Sequence, residues 1–152
     1  MSDSPRDIGM RVRRQVLGDA HVDRSVAQTT PFTAPFQDFI TRVAWGDVWA
    51  RPDLDRRTRS CVTLAILATL GNDHELTLHV RAALNNGLSA TEIAEVLLHT
   101  AVYAGVPAAN SAFAVAQRVL NEVAAEEKTA TTTATTTAQA ATPPKRSPPE
   151  RG

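Results

Sequence analysis

The chain has 152 residues, 43% of them hydrophobic, and its 16 Lys and Arg balance 16 Asp and Glu. That length supports one domain with a single core, and the neutral balance gives no electrostatic footprint for nucleic acid or an anionic membrane. The single cysteine, Cys61, excludes an intrachain disulfide and fits a reducing compartment.

The N-terminal MSDSPRDIGMRVRRQV has no apolar signal core. The pattern from there on is helical, without credible strand alternation. Asp7–Leu17 is predicted as a short helix stopped by Gly18, and Gly18–Pro31 as an extended loop. Phe36, Phe39, Ile40 and Val43 recur at helical spacing, so Pro35–Trp49 is predicted as an amphipathic helix ending before Pro52. Asp53 or Asp55 caps the next helix, which runs to about Leu70. Its second half, VTLAILATL, is apolar on nearly all sides, as in a domain centre or a subunit contact. The apolar run Cys61–Leu70 is too short to span a bilayer.

Asp73 can cap the following helix, which Gly87 ends. Ser89 then opens S-A-T-E, a capping box with Glu92 reaching back. Ile93, Val96, Leu97, Thr100 and Ala101 mark the buried stripe of that helix, and Gly105 ends it. Pro107 suits the first turn of the last helix, which continues to Val123. From Lys128 onward the chain is Thr, Ala, Pro and a few charges. Such a segment cannot bury enough apolar surface to offset its ordering entropy. The expectation is an all-α bundle of about six helices over 6–127, a disordered tail over 128–152, and a cytoplasmic location. With only 5% aromatic residues and much alanine, each helix brings little core volume. That points to a homo-oligomer.

Titratable residues concentrate in one stretch. Glu75 and His79 are four apart, hence neighbours on one helix face at about 6 Å between Cβ atoms. A carboxylate beside an imidazole raises its proton affinity and can orient its tautomer, which suits acid–base work. The alternative is a solvated helix pair, but position 79 borders the apolar stripe of Leu76, Val80 and Ala83. His74 at the helix start fits a pocket or a cap equally, and His99 reads better as a hydrogen-bonded core residue than as a ligand. His74 and His79 lie about 140° apart around a helix, and no HExxH-type pair occurs, so no metal is expected. Cys61 reads as an inert small hydrophobe, and Trp45 with Trp49 as packing or interface residues. Gly71, Gly87 and Gly105 end helices and form no phosphate loop. Arginines cluster at Arg6, Arg11, Arg13 and Arg14 and again at Arg51, Arg56, Arg57 and Arg59, as solvated helix ends or as carboxylate binders.

The segment E-L-x-x-H-x-x-x-A-x-x-x-G-L-S-x-x-E-I-x-E-V-L (Glu75–Leu97), followed by AVYAGVP (Ala101–Pro107), resembles the carboxymuconolactone decarboxylase family. RVRRQVLGDAHVDRS, WGDVWARPDLDRRTRS and PAANSAFAVAQ extend the likeness over nearly all of residues 8–121, toward the gamma-carboxymuconolactone decarboxylases in particular. The resemblance implies an alkylhydroperoxidase D-like all-α fold, a trimer or hexamer, and no cofactor. It implies conversion of 4-carboxymuconolactone, a lactone dicarboxylate, to beta-ketoadipate enol-lactone and carbon dioxide in the protocatechuate branch of the beta-ketoadipate pathway. The related alkylhydroperoxidase branch uses C-x-x-C-x-x-x-H. Here its two cysteines fall on Asn72 and Glu75, so dithiol chemistry is excluded.

For that reaction the expected catalytic residues are His79, as proton donor or oxyanion partner, and Glu75, orienting it. Arg59 and Arg81 are expected to hold carboxylates, with Ser60, His74 and Tyr103 as further donors. The spacing leaves Arg59 a few turns from His79, so that a neighbouring subunit's site is an alternative place for it. The competing readings are a family member acting on a different lactone or keto acid, and a non-enzymatic helical assembly module.

Overall fold

A computed structural model describes residues 3–140 of the chain. Among these residues the structure is all-helical: α1 (Pro5–Leu17), α2 (Asp19–Ala27), α3 (Ala34–Ile40), a π-helix (Thr41–Trp49), α4 (Arg56–Leu70), α5 (Asp73–Asn85), α6 (Ala90–Ala104) and α7 (Val106–Ala140). None of these is long and apolar enough to cross a membrane. Residues up to Val119 form one compact unit, and those from Leu120 a second.

Among the described residues, side-chain caps set the starts of three helices. Ser4 and Asp7 form a capping box on α1, with the Asp7 amide donating to Ser4 Oγ at 3.2 Å. Asp55 accepts from the Thr58 amide at 3.0 Å and caps α4. The predicted Ser89–Glu92 box is formed on α6. Asn72, one residue before the predicted cap Asp73, occupies the cap position of α5 and makes no side-chain cap bond.

Two expectations change here. The stretch from Gly18 is not an extended loop, because α2 fills most of it. Gly18 takes a positive φ of 86° and turns the chain from α1 directly into α2. Arg14 then pairs with Asp19 at 3.1 Å and Asp23 at 2.8 Å on the first turns. Val22 is the one buried residue of this helix, too few to produce a periodic signal. The predicted helix Pro35–Trp49 exists within a residue, but from Thr41 its bonding widens to the π pattern. The π-helix crosses α1 at close range: a Cβ on Gly9 would lie 1.9 Å from the Thr41 carbonyl oxygen, and one on Gly46 2.4 Å from that of Pro5.

That crossing places Val12 and Val16 of α1 in one buried cluster with Trp45 and with Ala82 of α5. Leu64, Leu76, Val80, Ile93, Leu97 and Val119 are fully buried and continue the interior across α4, α5, α6 and α7. Asn85, at the end of α5, donates to the last carbonyls of α1, Gln15 at 2.7 Å and Val16 at 3.1 Å. It thereby fixes α5 against α1.

In the second unit the helix persists through residues 128–140, where a disordered tail is expected from composition. Alanine is the best helix former. Thr129, Thr131, Thr132 and Thr133 each donate to the carbonyl four residues back, at 2.9–3.0 Å. The remainder of the predicted tail, 141–152, lies outside the described residues.

Candidate active site

A pocket of about 580 Å³ opens between the N-terminal helices and α5. Arg13 and Leu17 line it from α1, His21 and Ser25 from α2, Phe36, Gln37 and Ile40 from α3, and Trp45 from the π-helix. His74, Glu75, Thr77, Leu78, His79 and Arg81 line it from α5. Four of the seven predicted site residues are therefore brought together: His74, Glu75, His79 and Arg81.

The other three stand elsewhere. Ser60 is buried on α4 and accepts from Asn86 Nδ2 at 2.9 Å, a bond that joins α4 to the end of α5. Arg59 donates to the backbone carbonyls of Leu54 at 3.1 Å and Arg51 at 3.4 Å, tying down the loop before α4. Tyr103 is 80% exposed and rests against His99, ring centroids 5.0 Å apart. His99 is also exposed, contrary to the core position expected for it. All three expected donors lie on α4 or α6, whereas the pocket draws its α-helical walls from α1, α2, α3 and α5.

His79 is the most enclosed titratable group of α5 in this pocket. Its ring lies against Trp49, with centroids 6.4 Å apart and planes 27° from parallel. Its Nδ1 is buried with no hydrogen-bond partner among the described residues. Burial holds its pKa below the ordinary 6.5; the charge of Glu75 opposes this, and His21 adds to it. His79 is thus a neutral imidazole at neutral pH. Glu75 acts on it through charge, with no hydrogen bond to orient Nδ1.

His21, Ser25 and Gln37 are pocket residues without a signal in the sequence, and Arg13 is named there only within a cluster. Arg13 is 4% exposed. Its guanidinium donates to Gln37 Oε1 at 3.1 Å, Thr41 Oγ1 at 3.3 Å and Ser25 Oγ at 2.9 Å. All three partners are neutral, and no carboxylate pairs with it among the described residues. Its Nε is buried without a partner. Burial alone pulls its pKa below the ordinary guanidinium value, yet a guanidinium stays protonated throughout the range in which proteins fold. His21 is lowered first by burial, then by Arg13 and Arg24. In the sequence Arg13 is one arginine of an N-terminal cluster. Its position among Val12, Val16 and Leu17 on a helix with an apolar face was the available signal.

The pocket thus combines a buried cation without a counter-charge, two neutral imidazoles and an aromatic and aliphatic wall. That set can bind an anion, keep water away from part of it, and donate hydrogen bonds to a developing negative charge. No group of three or more His, Cys, Asp or Glu side chains among the described residues is arranged to hold a metal ion. A second groove of about 610 Å³ is lined by Cys61, Val62 and Ala65 of α4 and by Val96, Leu98, His99 and Val102 of α6, with Glu95. Burial and then the Glu92 charge raise the Cys61 thiol pKa, so this face offers no reactive thiolate.

Residues 34–118 match the model of the carboxymuconolactone decarboxylase family. The chain is 48% identical over 115 residues to the 4-carboxymuconolactone decarboxylase of Acinetobacter baylyi, covering 76% of this chain and 86% of that one. It is 45% identical over 117 residues to the nitrosuccinic acid decarboxylase of Metarhizium robertsii, covering 77% and 82%. A shorter match, 58% identical over 41 residues, is to a 4-carboxymuconolactone decarboxylase of Pseudomonas putida, covering 27% of this chain and 85% of that one.

Proposed function

This chain belongs to the carboxymuconolactone decarboxylase family, and from that membership and its pocket we propose that it decarboxylates 4-carboxymuconolactone to beta-ketoadipate enol-lactone and carbon dioxide. The carboxylate that leaves sits on a ring carbon conjugated through a double bond to the lactone carbonyl. When its C–C bond breaks, the electron pair moves through the ring and the carbonyl oxygen becomes an oxyanion. A proton then adds to the ring carbon beside the carbonyl, the carbonyl re-forms, and the double bond ends nearer the ring oxygen. The ring is its own electron sink, so the protein has to bind, desolvate, stabilise the oxyanion and handle one proton.

The observation that carries this reading is the neutral, enclosed imidazole of His79 in a pocket that also holds a buried guanidinium. A neutral N–H directed at the ring carbonyl stabilises the oxyanion only as it forms, which is where rate enhancement originates. Glu75 beside His79 favours its transient protonation by solvent, and the imidazolium so formed delivers that proton to the ring carbon. Arg81, half-buried at the pocket, draws in a dianionic substrate, with His74 beside it at the start of α5. Incubating the protein with 4-carboxymuconolactone and following its loss together with carbon dioxide release tests the assignment. No product from folded protein overturns it.

A second reading is favoured by the likeness to the nitrosuccinic acid decarboxylase. A nitro group on the carbon that loses carbon dioxide is also an electron sink, and the resulting nitronate needs the same oxyanion donor. Nitrosuccinic acid in the same assay separates the two.

The face around the second groove supports an assembly. Val62, Ile66 and Leu70 of α4 and Leu98 and Val102 of α6 are between 48% and 75% exposed. So much aliphatic surface on two adjoining helices is characteristic of a subunit contact. The protein works as a homo-oligomer, a trimer or hexamer, built through this face, and its 6–127 region forms the helical domain of each subunit.

A further inference from the structure

Both substrates considered above contain the same core. In 4-carboxymuconolactone the ring carbon that loses carbon dioxide also carries a carboxymethyl arm. In nitrosuccinic acid the carbon bearing the nitro group does the same. Each is a succinate with its electron sink on C2. One carboxylate leaves, and the other, one methylene away, stays. The two carboxylates need opposite treatment. Pairing the leaving carboxylate with a buried cation would stabilise the ground state and raise the barrier to loss of carbon dioxide, whereas pairing the retained one costs nothing at the transition state.

The pocket has the corresponding asymmetry. Arg13 and its neutral partners Ser25 and Gln37 occupy one part of it. Phe36, Ile40 and Trp45 supply an apolar surface, and His79 and Glu75 project from α5. Arg13 is 4% exposed, keeps a buried Nε without a partner, and has no carboxylate beside it among the described residues. A buried cation left uncompensated is strongly unfavourable to the fold, and the arrangement is accounted for when a ligand brings the counter-charge.

We propose that Arg13, with Ser25 and Gln37, is the anchor for the retained carboxylate, and that the substrate class of this site is succinates bearing an electron sink on C2. The proposal rests on the reading of the pocket as a decarboxylase site. Arg13 fixes the carboxymethyl arm, which turns the leaving carboxylate toward the apolar surface and the sink toward His79. The anchor lies on α1 and its supports on α2 and α3, so three short N-terminal helices select the substrate while α5 supplies the proton chemistry.

Succinate is the probe, because it has the core and no sink and therefore cannot react. The full chain, R13M, R13K and Q37E are titrated with succinate and with propanoate by calorimetry, melted, and assayed with 4-carboxymuconolactone. The natural protein is expected to bind succinate well ahead of propanoate. R13M is expected to lose succinate affinity on the order of 100-fold and to raise KM by a similar factor, with a smaller change in kcat. R13K keeps the charge but not the fork and falls between the two. Q37E places a permanent carboxylate where the Gln37 oxygen stands 3.1 Å from the guanidinium. It is expected to melt higher than the natural protein and to lose succinate affinity, because the cation is already neutralised. Q37E keeps Arg13 in place, so it decides the matter even where R13M folds poorly. A Q37E protein, or a folded R13M protein, that keeps succinate affinity and KM within about twofold of the natural values overturns the anchor. If Arg13-dependent succinate binding is found but 4-carboxymuconolactone is untouched, the anchor stands and the reaction falls. Turnover with KM indifferent to both variants has the opposite meaning.

Discussion

Arg13 on α1 and His79 on α5 line the same pocket, and each keeps one buried nitrogen, Nε and Nδ1, without a hydrogen-bond partner among the described residues. Unpartnered buried polar atoms are rare because each carries a desolvation penalty. Two in one pocket, one on a cation and one on a neutral imidazole, fit the ligand-binding roles proposed for both groups. The first prediction concerns the imidazole. His79→Ala should lower kcat by about 100- to 1,000-fold, the usual cost of removing an oxyanion donor, with little change in KM. Steady-state kinetics on protein with a natural circular dichroism spectrum checks this, and near-normal turnover would refute the role.

The pH dependence follows from the direction of the shifts. His79 and His21 both have folded-state pKa values below the ordinary 6.5, burial being the largest cause for each. Glu75 is the charge that opposes the shift at His79, while His21 reinforces it. Between the lowered and the ordinary value the unfolded chain binds more protons than the folded one, so stability rises with pH there. The contribution of these two residues is complete above about pH 6.5 and is lost as pH falls through their lowered values. Melting temperature should therefore fall from pH 7 toward pH 5, and replacing both histidines should flatten that slope. If neutral His79 is the working form, kcat/KM should drop over the same acid limb.

Much of the α5 wall was legible in the sequence because one helix carries it. Glu75 and His79 are four apart, and local spacing alone puts them on one face. The opposite wall was not legible. Arg13 reaches the pocket through three turns of tertiary placement: the glycine-lined crossing of α1 with the π-helix, the Gly18 turn into α2, and the clamp of Asn85 on the α1 carbonyls. None of these has a local periodic signature, and α2 itself has a single buried residue. The surroundings of Ser60 were not legible for a related reason. A polar residue on a buried helix suggests a site, but its hydroxyl is used by Asn86.

The place of Ser60 outside this pocket gives a prediction of its own. Ser60→Ala removes one buried hydrogen bond and leaves the Asn86 amide short of an acceptor, so it should cost about 1 kcal/mol of stability. With Ser60 away from the pocket, kcat/KM should stay as it is. Chemical denaturation and the decarboxylation assay read the two effects independently.

The α1 crossing can be probed at Gly9. An added methyl would meet the Thr41 carbonyl oxygen at 1.9 Å, with backbone on both sides and no flexible side chain to give way. Gly9→Ala should destabilise by about 3 kcal/mol or more, at the upper end for overpacked interiors. Urea unfolding measures it. Because Thr41 also accepts from Arg13, the folded fraction should show a raised KM as well.

The α4–α6 face gives a prediction about size. Leu98→Asp with Val102→Asp puts two charges where aliphatic groups are 55% and 75% exposed. Light scattering should then report a smaller particle than the natural protein. An unchanged mass would mean that assembly uses another surface.

Among the described residues, every one that lines the pocket lies between Arg13 and Arg81, and α6 and α7 line none of it. For anyone adapting this protein, the division is practical. A handle for immobilisation or a fusion partner belongs away from Arg118 of α7, which donates to Thr77 of the pocket wall at 3.1 Å. Attachment near Ser4 would disturb the cap of the very helix that carries Arg13.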